Sequence, residues 1–281
     1  MLKPFDYILD SDDNFWIISY HHDSKIFGKI IYYCDPSSTK FNFITGKRYR
    51  KDPGLEMEIP TDYKMEFHPR EFFQSNKNNL VDVWLRYVQA LNQSGISDED
   101  IGIFGSYLIG FDVKKDIDFV IYGNENLHKY HANRDFIGEY TQTSYITEDH
   151  IQYQLNKYSH LYHPNCDLLT ILRRNWSGIQ VGPGVLSTPR FLDEPSISIP
   201  LETGKNKLLR CQVVSGIESA NFPRKAKVSI QDKIYDVVTP FWMMQSFAKE
   251  GDVLELFGDI NDTEQTILLM NKEHWIRYLN A

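Results

Sequence analysis

Two aspartates lie inside an apolar run near the middle of the chain, in DIDFVIYG, which closes the stretch FGSYLIGFDVKKDIDFVIYG. Residues two apart in a β-strand project from the same face, with Cα atoms roughly 6.5 Å apart. Asp116 and Asp118 would therefore point together while Ile117 faces the core. Two carboxylates so close repel each other, and Mg²⁺ takes oxygen ligands, so the pair predicts a site for Mg²⁺ or Mn²⁺.

A third aspartate, Asp167, lies in the apolar segment CDLLTIL. This segment predicts a further strand over residues 166–172. If that strand lies beside the first, the three carboxylates converge and could hold two ions roughly 3.5–4 Å apart. We therefore expect Asp167 to be the third metal ligand.

A Gly-Ser pair ends the apolar run IGIF, and another glycine, Gly110, follows shortly after it. Glycine lets a backbone approach a phosphate closely, and the Ser106 hydroxyl can add a donor. Each feature alone is commonplace, since most Gly-Ser pairs are ordinary turns and many strand acids are simply solvated. In this order along the chain, Gly105, Ser106 and the three acids predict a triphosphate held against metal-binding carboxylates.

The stretch resembles the signature of the polymerase-β-like nucleotidyltransferases, in which a hydrophobic residue and Gly-Ser precede a D-h-D pattern by about ten residues. The resemblance spans about residues 76–175. It implies that Gly105 and Ser106 contact the nucleotide and that Asp116, Asp118 and Asp167 bind two Mg²⁺ ions. Many members have Ser before the first acid, where this chain has Lys115, which either meets a phosphate or is solvated.

The whole chain also resembles predicted nucleotidyltransferases of archaea and bacteria, in which one small β module precedes the catalytic core and another follows it. We accordingly expect an α+β fold with a polymerase-β-like mixed sheet and helices. The expected domains are an N-terminal β module at 1–60, a nucleotidyltransferase core at 61–190 and a C-terminal β-barrel-like domain at 191–281, for which an OB-like barrel is one candidate. Short strands separated by polar turns after residue 205 predict the barrel.

The composition indicates a water-soluble protein. Of 281 residues, 42% are hydrophobic and 24% charged, the mean hydropathy is −0.42, and no apolar run is long enough to cross a bilayer. The start lacks the layout of a secretory signal, and Cys34, Cys166 and Cys211 have no zinc-type spacing. We expect a cytoplasmic protein without membrane association, and the sequence gives no oligomeric state.

The net charge of −8 argues against general nucleic-acid binding but leaves room for a local basic groove. The cluster GKRYRK at 46–51 has an aromatic residue among its cations, as in single-strand binding sites, or it is a solvated hairpin edge. Arg173 and Arg174 either neutralise triphosphate or lie on the surface. His160 and His163 are more typical of structural histidines.

These features favour a metal-dependent nucleotidyltransferase that moves a nucleoside monophosphate from an NTP, such as ATP, to an acceptor hydroxyl and releases pyrophosphate. The acceptor is an RNA end, a protein or a small molecule. One alternative is a catalytically inactive module that binds nucleic acid or a partner through the barrel. Another is an antitoxin-like nucleotidyltransferase that modifies a protein.

Overall fold

The computed structural model describes most of the chain, namely residues 1–22, 24–52, 54, 57–112, 117–141, 144–145, 148–174, 179–180, 186–187, 189–193, 205–240 and 244–280. These residues form a mixed α+β protein whose chain divides into two compact units. The first unit comprises Met1–Thr143 and Ile179–Ile199, and the second comprises Ser144–Gly178 and Pro200–Ala281. The predicted boundaries near residues 60 and 190 stay a prediction.

The first unit begins with an antiparallel sheet of seven strands, in the order β4-β5-β3-β2-β1-β7 with β6 paired to β3. Its strands are β1 (Tyr7–Asp10), β2 (Phe15–His22), β3 (Lys25–Cys34), β4 (Lys40–Phe41), β5 (Arg48–Lys51), β6 (Met57–Glu58) and β7 (Tyr63–Phe67). The runs NFWIISYHH and KIFGKIIYYCDP, rich in aromatic and β-branched residues, predict two strands of a hairpin around DSK. The pairing of β2 with β3 confirms this hairpin.

The segment KFNFITGKRYRK predicts a third strand, but it folds back on itself as the β4–β5 hairpin. Asn42 is fully buried, and its Oδ1 accepts the backbone N–H groups of Ile44 and Thr45 at 3.0 and 2.9 Å. Gly46 closes the turn with a φ of +68°, a conformation that glycine adopts without strain. Local side-chain capping therefore replaces an extended strand.

A second sheet in this unit carries the Gly-Ser pair. Strand β8 (Ile101–Phe104) is antiparallel to β9 (Asp118–Tyr122), and β13 (Arg190–Leu192) is parallel to β9 on its other side. Two short antiparallel strands, β11 (Ile179–Gln180) and β12 (Leu186–Ser187), also belong to this unit. The strand β9 begins at Asp118, and Asp116 of the predicted strand DIDFVIYG lies outside the described residues.

The helices of the first unit are α1 (Pro69–Asn76), α2 (Asp82–Gln93), α3 (Gly105–Leu108), α4 (Asn124–Ala132) and α5 (Arg134–Thr141). The helical spacing of the apolar residues in NNLVDVWLRYVQAL predicts a helix over 80–91, and helix α2 confirms it. The ring centroids of its buried Trp84 and Tyr87 lie 5.4 and 5.2 Å from that of Phe119 in β9. This contact holds the centre of β9 in place.

The described residues of the second unit form a closed β-barrel and α-helices. Its elements are β10 (Ser144–Tyr145), α6 (Glu148–Tyr158), α7 (Leu168–Arg174), β14 (Lys205–Ser215), β15 (Asn221–Phe222), β16 (Arg224–Ile230), β17 (Lys233–Thr239), β18 (Val253–Asn261), β19 (Thr266–Leu268) and β20 (Trp275–Tyr278). Strands β14, β16, β17, β19 and β18 form a ring that the pairing of β14 with β18 closes, and β20 adds to β18. The predicted C-terminal barrel is confirmed.

No helix in the described part of the chain has the length and apolar character needed to span a membrane. This agrees with the hydropathy of the sequence.

A histidine lies inside the second unit. His274 is 1% exposed, its Nδ1 accepts the backbone N–H of Met270 at 3.0 Å, and its Nε2 lies 2.9 Å from Oδ1 of Asn206. Burial lowers the pKa of this imidazole below its usual value, against the opposing effect of the Asp259 and Glu273 carboxylates. The imidazole of His274 is therefore neutral in the folded protein, and its Nε2–H donates to Oδ1 of Asn206.

The unfolded chain binds a proton at this position more readily than the folded chain does, so acid should destabilise the second unit. The stability supplied by neutral His274 is complete above a pH of about 6.5 and is lost as the pH falls below it. Thermal unfolding from pH 8 to 5.5 should show a smaller fall in Tm for His274→Asn than for the wild type. The exposed His128→Asn is the matched control, and an equal fall in all three proteins would contradict the prediction.

Candidate functional site

The Gly-Ser turn begins with a glycine that no other residue can replace without strain. Gly105 directly follows β8 and has a φ of +76°, in the left-handed region. A Cβ atom at this position would overlap with Oδ2 of Asp118. The backbone of Gly105 and the carboxylate of Asp118 are therefore in direct contact.

The strand register brings Asp118 to this turn. In the antiparallel pair of β8 and β9, Phe104 lies opposite Asp118, so the last residue of one strand faces the first residue of the other. Asp118 is half-buried, whereas the four residues that follow it in β9 are buried. The carboxylate thus lies at the end of a rigid strand and beside the turn.

A buried tyrosine supports the same turn from β1. The hydroxyl of Tyr7 lies near the Gly105 backbone and the Asp118 carboxylate, and its side chain is almost fully buried. Burial raises the pKa of Tyr7 well above its usual range, and the Asp118 carboxylate and Tyr32 raise it further. Tyr7 is consequently neutral, and it adds no second negative charge next to Asp118.

Three side chains form a chain of hydrogen bonds at Ser106. Nζ of Lys40 donates to the hydroxyl of Tyr32 at 2.8 Å, and that hydroxyl lies 2.6 Å from Oγ of Ser106. An ammonium group can only donate. When the Tyr32 oxygen accepts from Lys40 and its proton goes to Ser106, the Ser106 hydroxyl keeps its own hydrogen for a further acceptor.

The positive charge of Lys40 is held in place by aromatic rings. Its Nζ lies 4.4 Å from the centroid of Tyr32 and 4.6 Å from that of Phe111, within the range of cation–π attraction. Nζ of Lys51 lies 5.9 Å from the same Tyr32 ring. Two cations of the N-terminal sheet therefore approach the Tyr32 ring beside the Gly-Ser turn.

The β4–β5 hairpin is attached directly to the chain after Ser106. Nδ2 of Asn42 donates to the carbonyl of Ile109 at 2.6 Å, and the N–H of Phe43 donates to the carbonyl of Gly110 at 2.9 Å. Gly110, at φ +86°, packs against Ile44 so closely that a Cβ would overlap with it. The hairpin and the Gly-Ser turn are thus one hydrogen-bonded assembly.

The structure brings together three of the residues that the sequence indicated, namely Gly105, Ser106 and Asp118. Lys115 and Asp116 lie outside the described residues. Asp167 belongs to the second unit. Among the residues that the structure describes, no three His, Cys, Asp or Glu side chains group as metal ligands, and the predicted set depends on Asp116.

The predicted strand at 166–172 is wrong, because Leu168–Arg174 forms the helix α7. Oδ1 of Asp167 accepts the backbone N–H of Thr170 at 3.2 Å, as an N-cap residue does. Leu168, Ile171 and Leu172 recur at helical spacing and are buried in the barrel unit. The role of Asp167 as third ligand stays a prediction.

The arginines after Asp167 have partners within the second unit. Arg173 forms an exposed ion pair with Glu148 at 2.7 Å. Nη1 of Arg174 donates to Asp252 at 2.6 Å, and its guanidinium lies 4.3 Å from the Tyr278 ring centroid. Both side chains therefore have local structural contacts in this unit.

Sequence reasoning did not identify Tyr7, Tyr32 and Lys40 as parts of the site. They lie on β1, β3 and β4, and Tyr32 precedes Ser106 by 74 residues. No local pattern marks such a contact, because it arises from the packing of one sheet against another. The only signal was the alternation of cations and aromatic residues in KFNFITGKRYRK.

No protein-family model, curated protein or solved structure matches this chain. The functional interpretation therefore rests on the residues of this chain alone.

Replacing Gly105 with Ala should destabilise the first unit and displace the Asp118 carboxylate. The left-handed backbone alone costs a non-glycine residue of order 1–3 kcal/mol, and the overlap with Asp118 adds to that cost. The matched control is Gly46→Ala, because Gly46 has a φ of +68° and open space around it. Urea unfolding should show a larger loss of stability for Gly105→Ala, and equal losses would refute the close contact.

Proposed function

We propose that this protein is a Mg²⁺-dependent nucleotidyltransferase that transfers a nucleoside monophosphate from an NTP to an acceptor hydroxyl. The observation that carries the proposal is the contact between the Asp118 carboxylate and the Gly105 backbone, next to a hydroxyl linked to Lys40. A cation-binding group and phosphate-binding donors thus lie side by side. In an NTP bound to Mg²⁺, the cation would complement the carboxylate and the phosphate oxygens would complement the donors.

One described carboxylate suits the predicted metal. Asp118 offers a half-buried carboxylate at a strand end, and hard oxygen ligands of this kind suit Mg²⁺ or Mn²⁺. Asp116 and Asp167 would complete the ligand set, as the sequence predicts. When bound, the ions would lower the pKa of the acceptor hydroxyl and neutralise charge on the phosphates.

The phosphates would lie on the Gly-Ser turn. The Ser106 oxygen accepts the hydrogen of the Tyr32 hydroxyl, so Ser106 can donate its own hydrogen to a phosphate. Lys40, at the other end of this chain of hydrogen bonds, supplies positive charge. Because Gly105 has no side chain, the Asp118 carboxylate can lie directly against this turn. Lys115 would add a further cation if it contacts a phosphate.

In the proposed reaction the acceptor hydroxyl oxygen forms a bond to the α-phosphorus of the NTP. The bond from that phosphorus to the bridging oxygen breaks in line, and pyrophosphate leaves with the electron pair. We assign the hydroxyl proton to a carboxylate base, for which Asp167 is the candidate. Positioning and charge neutralisation would supply most of the acceleration.

A second candidate function is that of a binding module built on the barrel. When the five barrel strands are numbered along the chain, hydrogen-bonded neighbours follow each other around the barrel in the order 1-2-3-5-4-1. The third and fifth strands run parallel. This order supports the expected OB-like barrel, a fold that binds oligonucleotides and oligosaccharides. The two functions are compatible, because a binding barrel can present an acceptor to a catalytic unit.

Asp118→Asn should reduce nucleotide transfer by more than about 100-fold, since even the hydrogen-bond partners of metal ligands commonly contribute 10–100-fold. The measurement is transfer of α-³²P from each NTP, with Mg²⁺ or Mn²⁺, to pools of RNA, protein and small molecules. Asp82→Asn, at the start of α2, is the matched control. Wild-type transfer by Asp118→Asn, with the control also active, would refute the proposed site.

Lys40→Met should raise the KM for the NTP by about 10- to 100-fold and change kcat little, because a hydrogen bond to a charged group contributes about 1.5–3 kcal/mol. Tyr32→Phe should raise the KM in the same direction, since it interrupts the chain to Ser106. The exposed Lys272→Met serves as the control. An unchanged KM in both Lys40→Met and Tyr32→Phe would exclude this phosphate-binding arrangement.

A further inference from the structure

The segment 40–51 differs in charge from the rest of the protein. Its twelve residues, KFNFITGKRYRK, include five cations and no acid, in a chain whose net charge is −8. The same segment forms the β4–β5 hairpin and supplies Lys40 to the Gly-Ser turn. Lys47 pairs with Asp13, and Arg50 pairs with Asp35 and Asp52. The positive charge beside the proposed catalytic site therefore comes mainly from Lys40, Arg48 and Lys51.

Two aromatic rings on this hairpin face the solvent. Phe41 is 42% exposed and Phe43 is 67% exposed, and their ring centroids are 5.4 Å apart in an edge-to-face arrangement. Exposed phenylalanines on a short turn leave apolar surface in water, which costs stability. They are also the type of side chain on which unpaired bases stack.

Cations lie beside these rings. Arg48 is directly opposite Phe41 in the hairpin, so the two side chains share a face. Its Nη1 donates to the carbonyls of Ser38 and Thr39, and no carboxylate among the described residues pairs with it. A shallow groove on this face is lined by Cys34, Pro36, Phe41, Gly46, Lys47 and Arg48.

The groove has a fixed relation to the Gly-Ser turn, because both belong to the first unit. The hydrogen bonds of Asn42 and Phe43 to the carbonyls of Ile109 and Gly110 attach the hairpin to the chain that follows Ser106. Anything bound along the hairpin would therefore lie next to the nucleotide rather than on a separate surface.

We propose that the hairpin 40–51 binds a single-stranded nucleic-acid end and so presents the acceptor hydroxyl. This inference rests on the proposed function and adds the class of acceptor. Phe41 and Phe43 would stack on bases, and Arg48 would bind a backbone phosphate. An acidic peptide would use the cations but not the two exposed rings, and a duplex would hide the faces of its bases.

The test is fluorescence anisotropy of the full-length protein with a labelled ten-nucleotide single-stranded RNA, without NTP or metal. Phe43→Ala should weaken binding by roughly 5- to 150-fold, the equivalent of about 1–3 kcal/mol per stacked base. Arg48→Gln should reduce the slope of log K against log salt by about 0.7. The matched control is Phe136→Ala, which removes another exposed ring of an aromatic pair in the same unit.

The outcomes separate this inference from the proposed function. RNA binding that depends on Phe43 and Arg48 supports the inference, even if no nucleotide is transferred. Absence of RNA binding, equal binding of a duplex, or binding unaffected by Phe43→Ala and Arg48→Gln overturns it, and the last result would favour the barrel as the RNA site. Label transferred only to protein or small molecules would also overturn it while leaving the nucleotidyltransferase proposal intact.

Discussion

The other features of the site depend on the contact between the Gly105 backbone and the Asp118 carboxylate. It requires a residue without a side chain, a left-handed backbone and a register that sets Phe104 opposite Asp118. A half-buried carboxylate is costly unless charges or dipoles compensate it. A neutral Tyr7 near the turn avoids a second negative charge, and Lys40 of the hairpin is linked to Ser106 through the Tyr32 hydroxyl.

The N-terminal sheet belongs to this site and is more than an accessory module. Phe15, Tyr49 and Phe111 pack with ring centroids 5.0–6.0 Å apart, so the chain after the Gly-Ser turn is part of the aromatic core of that sheet. Lys40 is positioned by the same packing. The contacts that stabilise the sheet thus also orient the proposed phosphate-binding donors.

The sequence predicted features that depend on local pattern. The helical spacing of Trp84 and its neighbours, the β2–β3 hairpin and the barrel strands follow from periodicities of 3.6 and 2 residues, and the structure has all of them. The segment after Asp167 shows the weakness of this approach, because a short apolar run suits a strand or a helix equally well. Capping by the Asp167 carboxylate decided in favour of the helix.

Contacts between distant segments were beyond prediction from one sequence. Gly105, Ser106 and Asp118 could be identified because they lie close together in the chain and follow a recognisable pattern. Lys40 and Tyr32 reach Ser106 only through the packing of two sheets, and Asn42 redirects the chain through its own hydrogen bonds. The periodicity of the sequence predicts none of the contacts that Lys40, Tyr32 and Asn42 make.

The strand that carries Asp118 is completed late during synthesis. Its parallel neighbour β13 pairs Arg190 with Val120, so about 70 residues must be translated before that side of β9 is covered. During those several seconds on the ribosome, the nascent chain also produces α6 and α7 of the second unit. An open strand edge attracts other strands. A chaperone, or a pause in translation, would therefore protect this edge of β9 until β13 has been made.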